Sequence, residues 1–100
     1  MAYIENSDSI VVKTDVIVQT PGIAMLCENP NMMAWVAVCL SRHLHGDWGD
    51  DMYEEDIEMN NDALKTKDDI LSVYEKGDVK IYIKTDDSWH VTTILLPSEY

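Results

Sequence analysis

The chain has 100 residues, 46% of them hydrophobic, and a formal net charge of -12 from 19 acidic against 7 basic residues. That length supplies one domain, residues 1–100, with a single modest core, and that apolar content argues against a disordered acidic tail. The charge, with basic residues few and scattered, argues against direct contact with nucleic acid or an anionic membrane and favours a basic protein surface as partner.

The opening Met1-Ala2-Tyr3-Ile4-Glu5 lacks the charged and hydrophobic regions of an export leader, so a cytoplasmic location is expected. Cys27 and Cys39, in apolar stretches, are then expected as buried free thiols. The triplets Ile10-Val11-Val12 and Val16-Ile17-Val18 are β-branched and predict one or two short N-terminal strands. Thr20-Pro21 opens a helix of about two turns, which Asn29-Pro30-Asn31 breaks, with Asn31 as the cap of the next. From Met32 to His45 the positions Met33, Val36, Ala37, Leu40 and Leu44 follow the spacing of one helical face, with Trp35, Cys39 and His43 as a second stripe beside it. The apolar run Met32 to Leu40 is about half the roughly 20 residues a membrane span requires.

Gly46-Asp47-Trp48-Gly49-Asp50 predicts a tight loop, after which Asp50 or Asp51 caps a helix reaching Leu64 whose apolar stripe is Tyr53, Ile57 and Leu64. Ile70 to Tyr74, Val79 to Lys84 and Trp89 to Leu96 predict three strands of a meander, separated by the turns at Gly77 and at Asp86-Asp87-Ser88 and ended by Pro97. The fold class is therefore α+β: a three-stranded antiparallel C-terminal meander with one or two N-terminal strands, packed against about three helices.

Ten of the acids fall between Asp47 and Asp69, where only Lys65 and Lys67 answer them. On the predicted helix Asp51, Glu55, Glu58 and Asp62 share a face, and Glu54, Glu58 and Asp62 are spaced by four. Neighbours on such a ribbon lie roughly 5–6 Å apart along the axis, the same order as phosphates along a nucleic-acid strand. A groove lined with arginine and lysine can take that ribbon in place of nucleic acid; the plain alternative is a solvated outer face.

No metal and no cofactor are expected. Asp47 to Glu58 begins and ends like a calcium loop but has Gly49 and Met52 where the third and sixth positions need Asp or Asn and Gly. Cys27, Cys39, His43 and His45 lack the short spacing of a zinc knuckle. An enzyme reading takes His43 or His45 with Asp47 as an acid/base pair and Cys39 as nucleophile. No phosphate loop, nucleophile elbow or His-Glu-x-x-His accompanies them.

Four stretches, Arg42-His43-Leu44-His45-Gly46-Asp47-Trp48-Gly49-Asp50, Glu54-Glu55-Asp56 with Asn61-Asp62-Ala63-Leu64, Ser72-x-Tyr74, and Lys80-Ile81-Tyr82-Ile83 with Val91 to Tyr100, carry a resemblance. Over roughly Thr20 to Tyr100 the chain resembles a family of small proteins encoded on plasmids, phages and other mobile elements, some of them labelled restriction-modification subunits. It departs from them in having Asp86-Asp87-Ser88 without the usual arginine and Tyr82 in place of a common tryptophan. Both changes argue against anion binding at that turn.

Small acidic proteins of mobile elements often look like inhibitors of host defence. The resemblance thus implies an anti-CRISPR or anti-restriction protein that occupies the basic nucleic-acid groove of a Cas effector or restriction enzyme. The expected contact residues are Asp47, Trp48, Asp50, Asp51, Tyr53, Glu54, Glu55, Glu58 and Asp62, with Trp48 and Tyr53 as aromatic anchors. The alternatives are a small enzyme or accessory factor of plasmid or phage maintenance using His43, His45 and Asp47, and a plain structural module.

Overall fold

A computed structural model describes residues 9–100; the expectation drawn from Met1 to Glu5 lies outside them. The elements in order are β1 (Val16–Gln19), α1 (Pro21–Leu26), α2 (Pro30–Leu44), α3 (Glu54–Thr66), β2 (Ile70–Lys76), β3 (Val79–Thr85) and β4 (Val91–Leu95). The sheet order is β1-β4-β3-β2: β2, β3 and β4 form the expected antiparallel meander, and β1 joins β4 in parallel. The class is α+β, with three helices and a four-stranded mixed sheet among the described residues.

Only one of the two β-branched triplets is a strand. The backbone N–H groups of Val11 and Val12 both donate to Leu44 O, at 2.9 and 3.1 Å, and Val12 is fully buried beside Trp48. The N–H groups of Val11 and Val12 are thus spent on the end of α2 and are not available to a strand ladder. Val16, Ile17 and Val18 lie exposed along β1, a strand of four residues at the sheet edge. Such short edges limit unwanted pairing.

Proline starts α2 where a break was expected. Asn29, not Asn31, is its cap: the Asn29 Oδ1 accepts from Asn31 N at 2.8 Å and Met32 N at 3.3 Å, and Pro30 takes the first helical position, where no donor is needed. The buried face of α2 is Val36, Cys39 and His43, while Met33 is 56% exposed and Ala37 is also exposed. The stripe read as flanking is the inward one, because His43 finds hydrogen-bond partners in the core. Both cysteines are free, Cys39 buried and Cys27 half-buried.

α3 begins at Glu54, later than expected, because Asp50 is used elsewhere; Tyr53 is the cap residue and makes no side-chain cap bond. Its buried residues are Asn60 and Ala63, not Tyr53 (78% exposed) and Ile57. Asn60 is inside because its amide reproduces a strand's pairing: Nδ2 donates to Leu71 O at 2.8 Å and Oδ1 accepts from Leu71 N at 3.3 Å. At the last turn, Trp89 belongs to a 3₁₀ turn rather than to β4, and its buried indole donates to Asp68 O at 3.1 Å.

The inward face of the meander carries Ile70, Ser72, Tyr74, Ile81, Ile83, Thr85, Thr92 and Ile94 in the two-residue period of strands. Ile23, Val36 and Cys39 pack on Tyr74, Ile81, Ile83 and Ile94, and a second cluster joins Val12, Trp48, Ala63, Ile70 and Trp89. The opposite face, with Leu71, Val73, Lys80, Tyr82 and Lys84, is half-buried. Among the described residues no helix is long and apolar enough to cross a membrane.

Candidate functional site

The acidic block divides into a region that holds an internal cation and one that holds none. In the first, Arg42 offsets part of the loop's charge: its Nε donates to Asp47 Oδ2 at 2.8 Å, and its Nη2 donates to Asp47 Oδ1 at 3.1 Å and to Asp50 Oδ1 at 2.9 Å. The guanidinium sits 4.9 Å from the centroid of the Tyr74 ring, whose hydroxyl donates to Asp47 O at 2.7 Å. The Arg42 hydrogen bonds are the main cause holding both carboxyls below their usual range. Lysine lacks the planar fork that serves two carboxylates and a ring together. Arg42→Lys should therefore cost about 1 kcal/mol, a modest value because the groups are partly exposed, measured as a shift in urea midpoint.

The same loop closes the outer edge of β2. Val73 N donates to Trp48 O at 3.1 Å, Asp50 N donates to Val73 O at 3.0 Å, and Glu75 N donates to Asp50 Oδ2 at 3.1 Å. With Asn60 on Leu71, the outward N–H and C=O groups of Leu71 and Val73 and the N–H of Glu75 are thereby engaged. Trp48, expected as an aromatic anchor, is 4% exposed, and its Nε1 donates to Asn61 Oδ1 at 2.9 Å. Burial removes Trp48 from any contact surface. Asp47 and Asp50 keep exposed oxygens, but both are paired with Arg42.

The four residues of the enzyme reading each have a different environment. His43 is fully buried; Nδ1 lies 2.6 Å from Ser72 Oγ and Nε2 lies 2.8 Å from Thr85 Oγ1, which is 2.7 Å from Thr92 Oγ1. A neutral imidazole donates through one nitrogen and accepts through the other, so the chain closes in either tautomer. Burial pulls the His43 pKa down to about 4. His45 Nδ1 lies 2.6 Å from Ser41 O, and Asp47 is held by Arg42. Burial, the largest influence, pushes the Cys39 thiol up to about 11, far from a thiolate at neutral pH. Among the described residues no group of three or more His, Cys, Asp or Glu converges to hold a metal ion.

The second region is α3. Glu54, Glu55, Asp56, Glu58 and Asp62 are all exposed, and among the described residues none of them forms an ion pair. Asp51 is also exposed but precedes the helix, so the expected face of Asp51, Glu55, Glu58 and Asp62 reduces to its three helical members. Tyr53 stands exposed at the first turn.

Protein-family models, curated proteins and solved structures were compared with the chain, and none matches it.

The contacts of the residues that hold the loop and the core were not legible in the sequence because each acts through a distant partner. Asn60 drew no reading, Arg42, Asn61, Ser72 and Thr92 entered only as residues that carry the resemblance, and Thr85 fell just outside the expected strand Val79 to Lys84. One available signal was that all three hydroxyls sit at inward positions of their strands, where a buried polar group needs a partner. Glu99 likewise entered only through the resemblance. Its carboxylate accepts from Thr20 Oγ1 at 2.5 Å, Gly22 N at 2.9 Å and Leu96 N at 2.9 Å, clasping the C-terminal turn to the start of α1.

Proposed function

We propose that this protein is an acidic inhibitor of a host defence nuclease, an anti-CRISPR protein that occupies the basic nucleic-acid groove of a Cas effector with the carboxylates of α3. The observation that supports this reading is the contrast within the acidic block. Asp47 and Asp50 in the loop share the Arg42 guanidinium, whereas Glu54, Glu55, Asp56, Glu58 and Asp62 stand exposed and without an ion pair among the described residues. Carboxylates without internal partners leave their field to an external cation, and acidity of this sign speeds encounter with a basic groove. The resemblance to proteins of mobile elements, and the cytoplasmic location expected from the sequence, belong to the same proposal. Contact falls to Glu54, Glu55, Glu58 and Asp62, with Tyr53 as the exposed aromatic.

Pull-down and cleavage assays against a panel of Cas effectors and restriction complexes test it. For the effector that is bound, Glu54→Gln, Glu55→Gln, Glu58→Gln and Asp62→Asn together should weaken binding at least about a hundredfold and flatten its salt dependence. His45→Ala should leave both unchanged. A quadruple variant that inhibits as well as the parent would falsify the mimicry.

A further inference from the structure

Between α3 and the outer face of the sheet runs a groove of about 1090 Å³. Its floor is Leu71, Val73 and Tyr82, and its helical wall is Asp56, Met59 and Asp62. Asp51 and Tyr53 line the end beside the first turn of α3; Asp68, Asp69 and Asp87 line the end where the chain enters β2. We infer that this groove binds an extended, arginine-containing peptide segment of a partner protein, with apolar side chains on the floor and guanidinium groups against the walls.

Charge selects the occupant. Six aspartates and two lysines line the groove. Both lysines are already engaged: Lys80 Nζ lies 3.2 Å from Glu75, and Lys84 Nζ lies 3.6 Å from Asp86 and 5.6 Å from the Tyr100 ring centroid. None of the six aspartates forms an ion pair among the described residues. A nucleotide or other anion would meet that field as repulsion, whereas a guanidinium gains from it.

The apolar floor accounts for the rest. Leu71, Val73 and Tyr82 are half-buried, Met59 is 68% exposed above them, and Tyr82 stacks edge-on with Tyr100 at 5.7 Å between centroids. Tyr53, 78% exposed at one end of the groove, offers a ring face that attracts arginine. Because the β2 edge is engaged by Asn60, Trp48 and Asp50, the segment cannot enter as an added strand there and must be recognised through side chains. A helix of thirteen residues is about 20 Å long, which an extended segment of about six residues spans.

The inference rests on the reading of this protein as a binder of basic protein surfaces, but it places the contact on the inner side of α3, whereas Glu54, Glu55 and Glu58 are not among the groove's lining residues. The probe is the fluorescein-labelled peptide acetyl-(Arg-Leu)₃-amide, with (Gln-Leu)₃ and (Glu-Leu)₃ as controls. It is followed by anisotropy and by amide shifts in the full chain, with circular dichroism confirming that each variant folds. Expected are binding of the arginine peptide alone and shifts at Met59, Leu71, Val73 and Tyr82. Asp56→Asn with Asp62→Asn should weaken binding about tenfold, as for the loss of two exposed ion pairs, and the triple Glu54→Gln, Glu55→Gln, Glu58→Gln should change it by no more than about twofold. No binding, equal binding of the glutamine peptide, or loss in the triple variant alone overturns the groove. Peptide binding in the groove without inhibition of any nuclease overturns only the inhibitor reading. Nuclease inhibition that depends on Glu54, Glu55 and Glu58, without peptide binding, overturns only the groove.

Discussion

Gly49→Ala should destabilise the domain by about 4 kcal/mol or more, a large share of the roughly 5–15 kcal/mol that holds a domain of this size. Gly49 has φ +115, and a Cβ there would lie 1.7 Å from Val73 O and 2.7 Å from Val73 C. Both are backbone atoms of a strand paired with β3, so no side-chain rotation relieves the clash. Relief requires the loop to leave β2, which breaks the bonds from Asp50 N to Val73 O and from Val73 N to Trp48 O and draws Trp48 out of its cluster. Gly77→Ala is the control: φ is +60 but nothing lies within 4 Å of the added carbon, so only the left-handed conformation opposes it, at about 1 kcal/mol. Urea unfolding followed by tryptophan fluorescence separates the two. Equal midpoints for the two variants would contradict the clasp of the 46–50 loop on β2.

The second large effect is a loss of stability in mild acid that depends on His43. Its folded pKa of about 4 lies below the ordinary 6.5 because burial disfavours the imidazolium, and the groups around it are the hydroxyls of Ser72 and Thr85 and the edge-on ring of Trp48. Between those two values the unfolded chain binds a proton that the folded chain does not. Stability is therefore complete above about pH 6.5 and falls as pH drops towards 4, by about 3 kcal/mol in total. Below the ordinary carboxylate value of 3.8, Asp47 and Asp50 add a further loss as their pairing with Arg42 is titrated away. His43→Gln retains a donor and an acceptor but has no titration, so its stability should be lower at neutral pH yet nearly flat from pH 6.5 to 4. Parallel pH profiles for parent and variant would show that His43 is not the group responsible.

What the residues disclosed by themselves was local. The three-four spacing of α2, the alternation in β2 and β3, Thr20-Pro21 at the start of α1 and the stop at Pro97 are short-range preferences of the backbone, and they led to the correct class and strand order within the meander. The concentration of acids on α3 was equally plain, since charge needs no partner to be counted.

Tertiary structure decided which face of each element turns inward and which acids are free. Val12 became a buried loop residue because Leu44 O accepts its N–H, and Asn60 faces inward because Leu71 supplies both a donor and an acceptor. Trp48, equally suited by composition to an exposed anchor, is inside because Asn61 takes its indole N–H and Gly49 lets the chain touch Val73. Asp47 and Glu54 are alike as carboxylates; Arg42, reached only through the fold of the loop, pairs with the first and leaves the second its full field. Each of these outcomes depends on hydrogen bonds or ion pairs between segments that local preference leaves unconnected, and directional bonds of that kind exist only once the chain has closed on itself.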